Sequence, residues 1–167
     1  LDERESQEML SLIDEAGRGL LAIVNDLLDV SRIDAGKLEI TTSPTDIVAL
    51  VRRTLDFWGP QASDKGVALS IDVSGADDAP LMVDAGRVRQ IVGNLISNAI
   101  KFTDEGAIRL MVSTKDTADG RIGVTVSVID TGAGVPEDAA ESIFTAFEQA
   151  PGSASLGGAG LGLFISR

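Results

Sequence analysis

The sequence predicts an α+β fold: a mixed sheet carrying helices on one face, preceded by a long bundle or coiled-coil helix. Three observations predict it. Alternating apolar and polar residues at 67–73, 108–114 and 121–130 read as strands, and helical periodicity marks 47–65 and 84–102. These helices and strands mix without strict alternation, which sets the class as α+β. Residues 1–35 carry a heptad, with Met9, Ile13, Ala16, Leu20, Ile23, Leu27 and Val30 spaced 4-3-4-3-4-3.

That N-terminal stripe is broad. Leu10, Leu21, Val24 and Leu28 widen it beyond a two-stranded seam, as expected for a helix of a four-helix bundle. The competing reading is an amphipathic helix lying on its own domain. Gly36 suits a left-handed position closing this helix. Residues 37–42 alternate and predict a short strand. Thr45-Asp46 caps the helix at 47–65, and Gly59-Pro60 predicts a bend or break in it. A strand at 67–73, a loop at 75–80 and a short strand at 81–83 follow. Asp84 caps the helix running to Phe102. Asp119-Gly120 predicts a turn joining the last two strands. Pro136 at a first turn, with acids close behind, predicts a helix over 136–147. A small-residue loop at 149–160 runs into a helix start at 161–167.

Composition excludes several functions. The chain has 167 residues, 44% hydrophobic, enough for one domain with a core plus an attachment. The net charge of −12 argues against nucleic acid or an anionic membrane as a main partner. There is no Cys and no His, so disulfides, thiol catalysis and any His base, ligand or phosphoacceptor are absent from this chain. No apolar run reaches the roughly 18–20 residues of a membrane helix, and the acidic start resembles no signal peptide. Both ends are expected to be fragment boundaries.

Three segments carry chemistry. Asn94, Asn98 and Lys101 share one face of their helix. Asn is a mediocre helix former; its carboxamide oxygen is a hard neutral ligand for Mg²⁺, and Lys is a point charge for phosphate. The plain alternative is a solvated polar face. Asp130 ends an apolar strand before Gly132 and Gly134. A partly buried carboxylate there is able to accept a hydrogen bond from an exocyclic amine such as that of adenine. The plain alternative is an ordinary Asp-Gly turn. Glycines at 157, 158, 160 and 162 precede a helix start, where backbone N–H groups meet anions. This is neither a Walker loop nor the dinucleotide fingerprint. The plain alternative is a flexible linker, which would not run into Leu161, Leu163, Phe164 and Ile165.

In this order the segments resemble the catalytic ATP-binding domain of bacterial sensor histidine kinases, within the ATPase superfamily that includes the Hsp90 chaperones and gyrase. Residues 94–103 (NLISNAIKFT) resemble the family's N box, 130–135 its first glycine box, 144–149 (FTAFEQ) its F box and 157–163 its second glycine box. Residues 20–40 resemble the second helix of the dimerisation domain and the linker beyond it.

The resemblance implies a two-layer α/β sandwich of the Bergerat ATP-binding type. Residues 1–36 would be the second helix of a dimerisation and phosphoacceptor four-helix bundle, and 37–167 the catalytic domain. It implies ATP and Mg²⁺ as cofactors. Asn98 would hold the metal, with Asn94 beside it and Lys101 reaching a phosphate. Phe102 would pack near the adenine, Asp130 would accept its amine, and Gly132 and Gly134 would give it room. Phe144 and Phe147 would anchor the lid. Gly158, Gly160 and Gly162 would wrap the triphosphate, and Leu161 would fix the loop to the core. A homodimer through the N-terminal helix, a response-regulator receiver domain as partner and a cytoplasmic location follow from the same resemblance.

Four departures matter. The relatives that hydrolyse ATP resemble a pattern with Glu where Asn94 stands, and Asn is no base. That favours phosphoryl transfer to a nucleophile, a reaction of positioning and charge stabilisation. The phosphoacceptor His is expected upstream of Leu1, and closing strands are expected beyond Arg167. The lid, 150–156, has no basic residue. A non-catalytic nucleotide-sensing or docking module is therefore the runner-up, ahead of a chaperone-type ATPase.

Overall fold

The computed structural model describes residues 3–75, 80–148 and 159–167. The first helix, α1 (Glu3–Asp34), leads to β1 (Ser43–Thr45), α2 (Ile47–Asp64) and β2 (Val67–Ser74). Then come β3 (Leu81–Val83), α3 (Ala85–Phe102), β4 (Gly106–Asp116) and β5 (Ile122–Asp130). Two 3₁₀ turns (Glu137–Ala139 and Ser142–Phe144) precede α4 (Gly162–Ser166).

β4 is the centre of a three-stranded mixed sheet. It pairs parallel with β2, Val67 opposite Gly106 through Ser74 opposite Ser113. It pairs antiparallel with β5, Ile108 opposite Asp130 through Asp116 opposite Ile122. β1 and β3 form a separate antiparallel pair. Period two sorts β4 cleanly: Ile108, Leu110 and Val112 are buried while Arg109 and Met111 face out. Leu69, Ile71, Val124, Val126 and Val128 pack against the same core. The helices cover that face, α2 through Leu50, Val51 and Leu55, α3 through Val92, Ile96, Ala99 and Ile100. The result is the expected two-layer mixed α/β arrangement.

The helix boundaries follow the local chemistry. Asp46 accepts from Ala49 N–H at 2.8 Å, and Asp84 from Arg87 N–H at 3.0 Å and Thr41 N–H at 3.0 Å. Those bonds hold the Asp84 carboxyl below the ordinary carboxylate range. Gly36, at φ +62°, ends α1. Its N–H bonds Ile33 O, and Lys37 N–H bonds Arg32 O, the paired bonds of a Schellman motif.

Three expectations are corrected. The strand expected at 37–42 lies instead at 43–45, where Pro44 is tolerated on the edge of a two-stranded pair. Pro60 does not break α2, which continues to Asp64. Pro60 and Asp56, one turn before it, both sit on the exposed face, so the carbonyl Pro60 fails to bond is left to water. The helix expected over 136–147 is two separate 3₁₀ turns; only Ala139 of its 3₁₀ residues is buried, too little apolar surface to hold a full helix against the core. Residues 76–79 and 149–158 lie outside the described residues, and with them most of the loops expected at 75–80 and 149–160.

α1 stands largely off the domain. Met9, Ile13, Leu20, Leu21, Ile23 and Leu27 are 41–64% exposed. Among the described residues of α1 only Asp29 and Val30 are buried. The helix therefore does not lie on its own domain along its heptad face. It is tied near residue 29, where Asp29 Oδ2 accepts from Arg87 Nη1 at 2.5 Å and from Gln90 Nε2 at 2.9 Å. No helix of the described residues is long and apolar enough to cross a membrane.

Candidate functional site

α3 supplies the polar row. Asn94 and Asn98 are half-buried, one turn apart, because the opposite side of the helix is held in the core by Val92, Ile96 and Ile100. Asn94 Nδ2 donates to Gly162 O at 3.0 Å and to Ser166 Oγ at 3.3 Å. A Cβ on Gly162 would lie 3.2 Å from Asn94 Cγ, so glycine lets α4 close on the carboxamide. Leu161, 1% exposed, anchors the same turn.

Lys101 and Phe102 end α3. The Lys101 ammonium lies 4.8 Å from the Phe102 ring centroid, and burial lowers the lysine pKa from its ordinary value. Lys65 caps this end from α2: its Nζ donates to Ile100 O at 2.8 Å and Lys101 O at 3.0 Å, and pairs with Asp104 at 3.2 Å. A Cβ at Gly132 would fall on the Phe102 carbonyl oxygen, so the strand end and the helix end meet where only glycine fits. Asp130 Oδ1 accepts from Gly132 N–H at 2.9 Å and shapes that turn. Gly134 follows at φ +73°.

Asp130 is exposed, not partly buried as expected. It shares the parity of Val124, Val126 and Val128 and so lies on the helix side of the sheet. It stands at the last rung of the ladder, opposite Ile108, where its exposed carboxylate is open to a ligand.

Phe144 and Phe147 are 37% and 63% exposed. Phe147 adopts φ +67°, the one non-glycine residue with positive φ among those described. Its N–H donates to Gly160 O at 3.0 Å, and a Cβ at Gly160 would lie 2.8 Å from Glu148 O. The two stems of the 149–158 segment are thus pinned together. Gly158 lies outside the described residues.

Across separate segments, the sequence-predicted residues among those described meet in three contacts: Asn94 with Gly162, Phe102 with Gly132, and Phe147 with Gly160. An open depression of about 840 Å³ lies elsewhere, lined by Asp138, Glu141, Glu148 and Arg167 among others, and Phe144 is the only predicted site residue on it. Its carboxylates repel a polyphosphate. Among the described residues no three His, Cys, Asp or Glu side chains cluster as a metal cage. The donor set on α3 is neutral carboxamide, which fits a Mg²⁺ held mainly by phosphates and water with one or two protein oxygens. Sequence reasoning missed Ser166 and Lys65. Ser166 stands one helical turn after Gly162, a spacing that was visible; the partner of Lys65 lies 35 residues away and was not.

The histidine kinase-, DNA gyrase B- and HSP90-like ATPase model matches residues 83–167. The signal transduction histidine-protein kinase BarA of Escherichia coli is 34% identical over 163 residues, covering 96% of this chain and 18% of BarA. The chain thus spans less than a fifth of that relative. The crystal structure of full-length ShkA in complex with AMPPNP superposes with a TM-score of 0.75 at 37% identity, over 96% of this chain and 32% of ShkA. The histidine kinase ThkA, solved in complex with the response regulator protein TrrA, shares the fold with a TM-score of 0.64 at 23% identity, over 93% of this chain and 44% of that one. The chain belongs to the histidine kinase-, DNA gyrase B- and HSP90-like ATPase family and is homologous to the ATP-binding catalytic domain of sensor histidine kinases.

Proposed function

We propose that this chain is the ATP-binding catalytic portion of a two-component sensor histidine kinase, presenting the γ-phosphoryl of Mg-ATP to a histidine outside the chain. Residues 1–36 are the second helix of a dimerisation bundle, and 37–167 the catalytic domain. The observation that carries the reading is the position of α3. One turn of it is clamped to α4 through Asn94 and Gly162, and its end abuts the Asp130–Gly132 turn. The two glycine-bearing segments thereby both abut the helix that carries the third.

Asn98 and Asn94 face the metal–phosphate end, and Lys101 a phosphate oxygen. Asp130 accepts the adenine amine, with Phe102, Gly132 and Gly134 beside the base. Phe144 and Phe147 anchor the lid, Gly160 and Gly162 wrap the triphosphate together with Gly158, which lies outside the described residues, and Leu161 fixes the loop to the core. Asn98, with Asn94 beside it, would hold Mg²⁺, which when bound would supply charge neutralisation at the triphosphate. A carboxamide at Asn94 takes no proton from water, so the chain holds the triphosphate for an incoming nucleophile. The Lys101 ammonium, disfavoured by burial, regains stability beside an anionic phosphate. Its affinity contribution is lost as pH rises, at lower pH than for an ordinary lysine.

The phosphorylated histidine then hands its phosphoryl group to an aspartate of a response regulator, in the cytoplasm where ATP is supplied. The exposed heptad face of α1 supports pairing with a second copy. ShkA binding AMPPNP and ThkA binding a response regulator support the nucleotide and the partner.

Titration calorimetry tests the site. Asn98→Ala and Asp130→Asn each lower Mg-ATP affinity at least about tenfold while the thermal midpoint stays unchanged. Unaltered affinity in both overturns the assignment. A protein extended upstream, incubated with γ-labelled ATP, yields an acid-labile phosphoprotein. Phosphate release without one favours an ATPase, and binding without either favours the sensing module.

A further inference from the structure

We infer that Ser166 is a positioning residue that fixes which end of the Asn94 carboxamide faces the metal–phosphate end of the site; the inference rests on the reading above. The hydroxyl of Ser166 donates to Gly162 O at 2.7 Å. With its hydrogen used there, Oγ has only lone pairs to offer Asn94. Gly162 O, the other neighbour, is also an acceptor. Both therefore demand the NH₂ end of Asn94, and both receive it, at 3.0 and 3.3 Å. The reversed carboxamide would set an oxygen against two oxygens.

The consequence is chemical. A planar carboxamide with Nδ2 turned to α4 has Oδ1 turned the other way. The end left for a cation or its water shell is the hard oxygen, the only end able to ligate Mg²⁺. Half-burial of Asn94 and close packing of its flat face on Gly162 restrict other rotamers. The same arrangement explains why a carboxylate is unsuited to position 94. Asp or Glu has no N–H for either acceptor.

The test separates metal-dependent from metal-independent binding. ATP affinity is measured calorimetrically with Mg²⁺ and with EDTA, for the wild-type chain, Ser166→Ala, Ser166→Thr, Asn94→Ala and the double variant. Ser166→Ala is expected to lower the Mg²⁺-dependent gain in affinity about threefold to tenfold, the loss of one neutral hydrogen bond, and to leave affinity in EDTA unchanged. Ser166→Thr keeps the hydroxyl and restores the gain. Adding Ser166→Ala to Asn94→Ala changes nothing further. The Asn94 side-chain NH₂ resonances, resolved by NMR without nucleotide, shift in Ser166→Ala and return in Ser166→Thr. An unchanged Mg²⁺-dependent gain in Ser166→Ala overturns the inference, as does an equal loss with and without Mg²⁺. Both results leave the nucleotide site itself standing. A wild-type chain that binds no nucleotide overturns both.

Discussion

α1 and α3 are both long amphipathic helices, and they end in opposite situations. α3 buries its apolar stripe within the chain: Val92, Ile96, Ala99 and Ile100 are 0–5% exposed. α1 repeats an equally regular stripe, and nearly all of it faces outward. The difference lies in what each stripe meets. α3 lies on the sheet, whose Ile108, Leu110 and Val112 offer a complementary apolar face. Among the described residues α1 is buried at Asp29 and Val30, where a polar tie joins it to Arg87 and Gln90. Periodicity states that a face will be buried. It does not state whether this chain or another buries it.

The largest effect that tests this contrast is a cavity. Ile96→Ala is expected to cost about 2–5 kcal/mol in urea unfolding, because the site is fully enclosed. Leu20→Ala, at dilution where the chain is monomeric, costs less than about 0.5 kcal/mol. A larger Leu20 effect that grows with protein concentration would show the α1 seam covered by a second copy.

A smaller loss is expected where the tie joins the two helices. Arg87→Ala leaves buried Asp29 with the Gln90 hydrogen bond and the more distant charge of Arg32, and costs about 1.5–3 kcal/mol at neutral pH. The Arg87 hydrogen bond is the chief reason the Asp29 carboxyl titrates below the ordinary range. Its stabilisation is therefore complete above the unfolded-state pKa and is lost as pH falls through the lower folded-state value. The gap between wild type and variant in urea titrations narrows only in strong acid. A gap constant down to pH 2 would remove the ion pair from the account.

At Gly132 the joint between α3 and β5 is tested. Gly132→Ala drives a Cβ into the Phe102 carbonyl and is expected to cost about 1–3 kcal/mol, with a parallel loss of Mg-ATP affinity. Normal stability and affinity together would mean the helix end and strand end are not held as described.

The smallest effect has the opposite sign. Burial, and then the charge of Asp29, raise the Asp26 pKa. An acid whose folded pKa is raised opposes folding when ionised; the penalty is absent below the unfolded pKa and grows as pH rises through the folded one. Asp26→Asn therefore raises the thermal midpoint slightly at pH 7 and not at pH 3. No rise at pH 7 would place Asp26 in water.

Most elements were legible before the fold. Asp46, Asp84 and Gly36 act through bonds to residues three or four positions away, and the strands of β4 and β5 follow period two. The segments at 94–103 and 130–134 were legible because residue type and spacing carry their chemistry. The failures share a cause. The strand at 43–45 depends on pairing with 81–83, and the turns at 137–144 on how little apolar surface lies beneath them. The exposure of Asp130 goes with its place at the last rung of the sheet.

Local chemistry alone therefore determined the helices, their caps, the strand faces and the row of Asn94, Asn98 and Lys101, since each rests on neighbours within a turn or a pleat. Only the tertiary structure decided which apolar faces this chain covers, that Gly162 and Ser166 orient Asn94, and that Lys65 caps α3. Those depend on partners 35 to 72 residues apart, whose approach is set by the packing of helix on sheet.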